Sequence, residues 1–206
     1  MDRENKLYRI AYSAAKATIG FFYPVKVLGT GNIPSGAAVV CANHSSWVDP
    51  FLMAFAFTKR EHLCLMAKIE LFKNKLVGGV LRAIGTFPVD RGKADISAMR
   101  IAMRYLKNGK KLGVFPEGTR AEKDGTVTAK GGAVRLAEKA DVPVVPVYIP
   151  RRKRIFQRLT IVIGKPFKIE RGAEKRCGED YEKIASELME EIVELGTCSA
   201  QKVDNT

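Results

Sequence analysis

The stretch Asn43-His44-Ser45-Ser46-Trp47-Val48-Asp49 sets an imidazole and a carboxylate five positions apart, directly after the apolar run 38–42. A turn there folds the carboxylate back onto the ring. A carboxylate on one ring nitrogen fixes the tautomer and leaves the other nitrogen free as a general base. A His–Asp pair that merely ties a loop has the same sequence. Ser45 and Ser46 stand in no Gly-x-Ser-x-Gly elbow, so they suit capping of the following helix better than nucleophilic attack. The second histidine, His62, lies beside Lys59, Arg60 and Glu61 and is expected at the surface.

Two further clusters follow apolar runs. Phe115-Pro116-Glu117-Gly118-Thr119-Arg120 comes after 112–115. Gly118 permits a sharp turn and close backbone approach. Thr119 offers a hydroxyl, and Arg120 a planar fork matched to phosphate. Glu117 either bonds a substrate hydroxyl or orients Arg120. A Pro-Gly turn with a surface ion pair uses the same residues. The stretch 85–92 ends a short strand in Asp90 and Arg91, either a second phosphate-binding arginine or a solvated turn. Lys68 closes the run 63–67 and adds a cation to the same rim, a weaker signal because lysine is common on surfaces.

The elements that must carry these clusters alternate. Strands are expected at 38–42, 63–67, 86–89, 112–115, 142–149 and 159–163, and helices at 46–57, 70–84, 95–107, 130–139 and 179–195. Such alternation predicts an α/β single domain, a largely parallel or mixed sheet flanked by helices. In that architecture ligands bind at the carboxyl ends of strands, where all three clusters fall. Residues 1–29 form an N-terminal amphipathic segment, 30–195 the domain proper and 196–206 a flexible tail.

In the N-terminal segment Leu7, Ile10, Ala11, Ala14, Thr18 and Phe21 recur on one helical face, and Pro24 ends the run. Arg9 and Lys16 interrupt it, and it is too short to span a bilayer. It either lies flat in a membrane interface or packs on the domain. Lys16 also splits any signal-peptide core, and no cleavage site precedes Pro24.

Composition narrows the partners. With 206 residues the chain can bury one real core, and 46% hydrophobic against 28% charged residues excludes global disorder. Thirty-five Lys and Arg against 22 Asp and Glu leave a net charge of +13, which calls for something anionic. The basic residues are dispersed and aromatics make up only 8%, which argues against nucleic acid. Arg151, Arg152, Lys153 and Arg154, with Arg158 nearby, form the densest patch, either a docking surface or a solubilising loop. Cys41, Cys64, Cys177 and Cys198 are scattered without a CxxC pair, which argues against a zinc ribbon and a disulfide framework and suits a reducing compartment.

Taken in order, the clusters resemble a known family. Asn-His-x-x-x-x-Asp is met by Asn43, His44 and Asp49, and Gly-x-x-x-Val-Asp-Arg by Gly85, Val89, Asp90 and Arg91. Phe-Pro-Glu-Gly-Thr-Arg is met without a gap at 115–120, and Val-Pro-Val-Val-Pro-Val at 142–147. Together they resemble the 1-acyl-glycerol-3-phosphate acyltransferases among the glycerolipid acyltransferases, over roughly residues 38–150.

The resemblance implies transfer of a fatty acyl group from a thioester to the free hydroxyl of lysophosphatidic acid, giving phosphatidic acid. Other lysophospholipids or glycerol 3-phosphate are alternative acceptors, and a non-catalytic lipid-binding protein is the alternative class. It implies His44 as base and Asp49 as its orienter. Glu117, Gly118, Thr119 and Arg120 would hold the acceptor, and Arg91 and Lys68 its phosphate. The donor would be acyl-CoA or acyl carrier protein, with no metal or other cofactor and no acyl-enzyme. The 142–147 segment would line the acyl path, and its prolines predict an edge or irregular strand. An anionic membrane surface, at the cytoplasmic face of the cell membrane, would be the setting, with peripheral or monotopic attachment. Ala121 departs from the serine common after the arginine, which removes a hydroxyl contact. The membrane portion is shorter than in many relatives.

Overall fold

Strand β2 (Ala38–Ala42) is buried at every residue. A run of small and β-branched side chains with no polar face must be covered on both sides, which puts it inside a sheet. In the computed structural model, which describes residues 3–59, 61–90, 95–121, 123, 127–170 and 176–204, β2 is the middle strand of seven. The others are β1 (Val25–Leu28), β3 (Leu63–Lys68), β4 (Phe87–Val89), β5 (Lys111–Val114), β6 (Val144–Tyr148) and β7 (Leu159–Ile163), in the order β1-β7-β6-β2-β5-β3-β4. Strands β2 to β6 run parallel, β7 runs against β6, and β1 follows β7. This is the mixed, largely parallel sheet that the alternating pattern predicts.

Alternate residues of β2 face two cores. Val39 and Cys41 meet α4 (Ile96–Lys107), α5 (Gly132–Ala140) and α6 (Gly178–Asp204) through Ala102, Val134, Leu136 and Ile192. Ala38, Val40 and Ala42 meet α2 (Asp49–Ala56) through Leu52 and Met53, with α1 (Arg3–Phe22) outside it. Gly113 in β5 is what lets α2 come close: a Cβ there would lie 2.8 Å from Met53 Sδ. The helix whose first residue is Asp49 is thus pressed onto the sheet beside β2.

Several elements depart from the sequence expectation for identifiable reasons. The helix expected at 46–57 begins at Asp49, because the Asp49 carboxylate draws the Ser45 and Ser46 N–H groups into a preceding turn. Neither serine caps α2, and Pro50 occupies its first turn, where a missing N–H costs nothing. The helix expected at 70–84 divides into a 3₁₀ turn, Ile69–Phe72, and α3 (Lys75–Ala83). Asn74 separates them by accepting from the N–H groups of Leu76 and Val77. Helix α6 continues to Asp204, through most of the tail expected to be flexible.

The strand with prolines is not at an edge: β6 lies between β7 and β2. Pro146 is tolerated because its missing donor faces β7, where pairing is sparse. Its carbonyl accepts from Gly164 N–H on that side, and the ladder proper covers only Val147–Ile163 and Tyr148–Val162. His62 is also not a plain surface residue. Its ring stacks on Tyr8 of α1 with centroids 4.3 Å apart, and Nε2 lies 3.1 Å from the Ile84 carbonyl.

Candidate active site

The carboxyl ends of β2, β5 and β6 meet at His44. Asn43 fixes the end of β2 against the end of β6: its amide donates to the Ile149 carbonyl and accepts from the Ile149 N–H, both at 2.8 Å. The side chain thereby acts as one more rung of the ladder. The next residue, His44, is 7% exposed, with its ring stacked 4.2 Å from that of Phe115 at the end of β5.

His44 Nδ1 lies 2.9 Å from Asp49 Oδ2. A carboxylate only accepts, so Nδ1 carries the proton and Nε2 is the basic nitrogen of the neutral ring. The same Oδ2 accepts from the Ser45 and Ser46 N–H groups at 2.6 and 2.7 Å. On its other side Asp49 Oδ1 is 2.8 Å from Lys153 Nζ, an ion pair in which neither side chain is more than 5% exposed. Burial alone would push the Asp49 carboxyl up. The His44 hydrogen bond, the Lys153 ammonium and the Ser45 N–H outweigh it and hold the group below the usual carboxylate range. Burial lowers the Lys153 ammonium, and Asp49 offsets this only in part.

The main chain of His44 is held just as firmly. Its N–H donates to Glu117 Oε2, and its carbonyl accepts from Ala121 N–H at 2.8 Å. Glu117 is buried, with Oε1 accepting from Arg151 Nη2 at 2.7 Å. Arg151 Nη1 also donates to the Ala121 carbonyl at 2.8 Å. Gly118 makes this possible: it adopts a left-handed φ of 65° and closes a turn by donating to the Phe115 carbonyl.

The candidate residues therefore separate. His44, Asp49 and Glu117 converge. Glu117 braces the histidine and Arg151 rather than orienting Arg120. Gly118 shapes the turn, and Thr119 and Arg120 are exposed on it. Lys68 ends β3, two strands from β2 at the same sheet edge, and pairs with Glu70 at 3.2 Å on the surface. Arg91 lies outside the described residues. Ala121 supplies its backbone in place of a hydroxyl. The side chains of Val144, Val145 and Val147 are committed to the two cores. A cavity of about 650 Å³ opens beside Glu117 and Arg151, bordered by Val127, Met189 and Val193 together with Ser186, Glu190 and Glu194.

Arg151 and Lys153 are the site residues that the sequence did not single out. They belong to a run of four basic residues read as one surface patch. Nothing in the run marks which of the four turn inward, because the chain bends at Arg151 and Arg152 and the alternation of a strand does not carry over. Here Arg151 and Lys153 turn inward, and Arg152 and Arg154 remain exposed.

Comparison with known proteins identifies the family. The acyltransferase family model matches residues 24–150. A 1-acyl-sn-glycerol-3-phosphate acyltransferase of Bacillus subtilis is 33% identical over 166 residues, covering 78% of this chain and 82% of that protein. A Streptococcus pneumoniae protein of the same name is 33% identical over 163 residues, covering 76% of this chain and 60% of its own length. The crystal structure of the 1-acyl-sn-glycerophosphate (LPA) acyltransferase PlsC from Thermotoga maritima superimposes with a TM-score of 0.62. It is 29% identical, and the match covers 92% of this chain and 78% of that one. With the acyltransferase family model covering residues 24–150, among them His44, Asp49 and Glu117, and relatives 33% identical over most of both chains, the chain belongs to the acyltransferase family.

Proposed function

We propose that the protein transfers a fatty acyl group from a thioester, acyl-CoA or acyl carrier protein, to the free hydroxyl of lysophosphatidic acid, giving phosphatidic acid. The observation that carries this reading is the buried His44–Asp49 pair, its tautomer fixed and its main chain tied on both sides. The activity named for the similar bacterial proteins supports the choice of acceptor.

In this mechanism the acceptor hydroxyl gives its proton to His44 Nε2 as its oxygen attacks the thioester carbonyl. The tetrahedral intermediate collapses with cleavage of the C–S bond, and the imidazolium returns the proton to the leaving thiolate. Asp49 keeps the ring oriented through both transfers. The N–H groups of His44, Ser45, Ser46 and Gly118 are already bonded to protein acceptors. The developing oxyanion is therefore assigned to donors beyond them, with the exposed end of the turn at Thr119 and Arg120 nearest in sequence. Arg120, Lys68 and Arg91 are the cations for the acceptor phosphate.

The same reading has the enzyme bind peripherally at the cytoplasmic face of the membrane. No helix among the described residues is long and apolar enough to cross one. The four scattered cysteines, with no CxxC pair, suit a reducing compartment.

Thiol release from an acyl-thioester tests the proposal, with lysophosphatidic acid, glycerol 3-phosphate and an unphosphorylated lysolipid offered in parallel. Release is expected to require lysophosphatidic acid and to fall about 10²–10⁴-fold in His44→Ala. Arg120→Ala is expected mainly to raise KM for the acceptor. Unchanged release in His44→Ala overturns the assignment.

A further inference from the structure

Large apolar side chains are exposed in three places along one edge of the sheet. Strands β2 to β6 are parallel, so the segments that follow them all emerge at the edge that carries His44. Strand β1 runs the other way, so α1 delivers its last residues to that same edge.

At one end Phe21 and Phe22 of α1 meet Phe156 from the β6–β7 connection, with ring centroids 5.4–5.7 Å apart. Phe21 is 66% and Phe156 64% exposed. Phe156 takes a left-handed φ of 64°, rare for a bulky residue, and is fixed there by donating its N–H to the Phe22 carbonyl. The backbone thus holds in an unfavourable conformation a ring that shields little of the protein.

At the other end α3 is inverted. Gly78 lies against Phe72, and the stripe of Leu76 and Val80, one helical turn apart, points outward at 83% and 60% exposure. Between the two, three residues past the base, stands Trp47 at 63% exposure. Four interstrand steps of about 4.8 Å separate β7 from β3, so the three groups span roughly 20 Å. Exposed lysines and arginines accompany each end: Lys26, Arg154 and Arg158 beside the phenylalanines, Lys73 and Lys75 beside Leu76.

We propose that this edge is the membrane-contacting face, seated on an anionic bilayer with the three apolar groups entering the interface and the flanking cations at headgroup level. The surface deepens the reading above, since it turns the mouth of the site toward the layer that holds a lysolipid. Separate apolar groups, the outer two beside cations and all three spread over a broad plane, fit a lipid surface better than a protein groove. The contact is thus distinct from one made by the length of α1. Ile10, exposed on that helix, lies twelve residues before Phe22, roughly 18 Å from the edge.

Trp47 is the chain's one tryptophan, so the native protein carries its own reporter. Titration with vesicles of phosphatidylglycerol and phosphatidylcholine is expected to shift its emission to the blue. Vesicles with brominated acyl chains are expected to quench it. The double variant Leu76→Asp, Val80→Asp and the single variant Phe156→Asp are each expected to weaken vesicle partitioning at least tenfold. Both should leave thiol release in detergent micelles within about twofold. Absence of vesicle binding overturns the proposal. So does binding with Trp47 unquenched and lost only in Ile10→Asp, which assigns the contact to α1. Release in micelles with Trp47 unquenched removes this surface and leaves the enzymatic reading intact. Quenching without release in micelles keeps the surface and removes that reading.

Discussion

Asp49 is pulled in opposite directions by its surroundings. Burial favours its neutral form, while His44, Lys153 and the Ser45 N–H favour the ion and prevail. A carboxyl held below its unfolded value stabilises the native state fully above the range where the unfolded chain titrates, near about 4. That stabilisation is lost as pH falls through the lower native value. Denaturant unfolding between pH 3 and 7 should therefore show stability rising with pH at the acid end, and less steeply in Asp49→Asn. Lys153 supplies one of the cations behind this. In Lys153→Met the Asp49 carboxyl moves back toward its ordinary range. Loss of activity on the acid side of the pH–rate profile should then begin at higher pH. A merely structural lysine would lower stability and leave that limb in place. The His44–Asp49 pair was legible because both partners lie within seven residues. Lys153 was not, because it reaches the pair from another strand end, and four basic residues in a row carry no mark of which ones point inward.

Among the elements, α1 shows how an amphipathic pattern can underdetermine its use. The helical face was plain in the sequence, but packing on the domain and lying in an interface demand the same periodicity. Tyr8 helps to decide it: the residue is 6% exposed, stacks on His62 and accepts from the Leu63 N–H at 3.4 Å. Burial pushes its phenol up to about 12, with the Leu63 hydrogen bond offsetting part of the rise. A group whose native value is raised keeps its full contribution below the unfolded value, about 10, and loses it as pH climbs through the native one. Stability is expected to fall by roughly 2–3 kcal/mol across that interval. Tyr8→Phe should lose much less, as read from the unfolding midpoint between pH 8 and 11.5. The prolines of β6 illustrate the opposite case. Their cost to a ladder was correctly weighed, but Pro146 falls where β7 pairs for only two residues, and that gap is created by the partner strand.

At the scale of the molecule, the excess of basic residues has two destinations that composition merges. Arg151 and Lys153 are consumed inside the site, whereas Arg152, Arg154 and Arg158 stay exposed around its edge. Neutralising the exposed three should weaken association with anionic vesicles most at low salt, the difference shrinking as the ionic strength passes about 0.1 M. Turnover with micellar substrate should change little. The order of the sheet, with β2 at its centre, is not written in the local sequence. Alternation of strands and helices predicts a parallel sheet but not which strands adjoin, since neighbours are chosen by long-range packing.

The stretch from Asn43 to Val48 forms neither ladder nor helix, yet its polar groups are almost fully spoken for. The N–H groups of 44, 45 and 46 end on buried carboxylate oxygens, the His44 carbonyl on Ala121, and the Asn43 amide on Ile149. In deuterium exchange these three amides should lag with the central strands rather than exchange with the loops. Such a segment cannot swing toward a ligand. The base stays where the sheet has set it, and closing the distance for reaction falls to the two substrates.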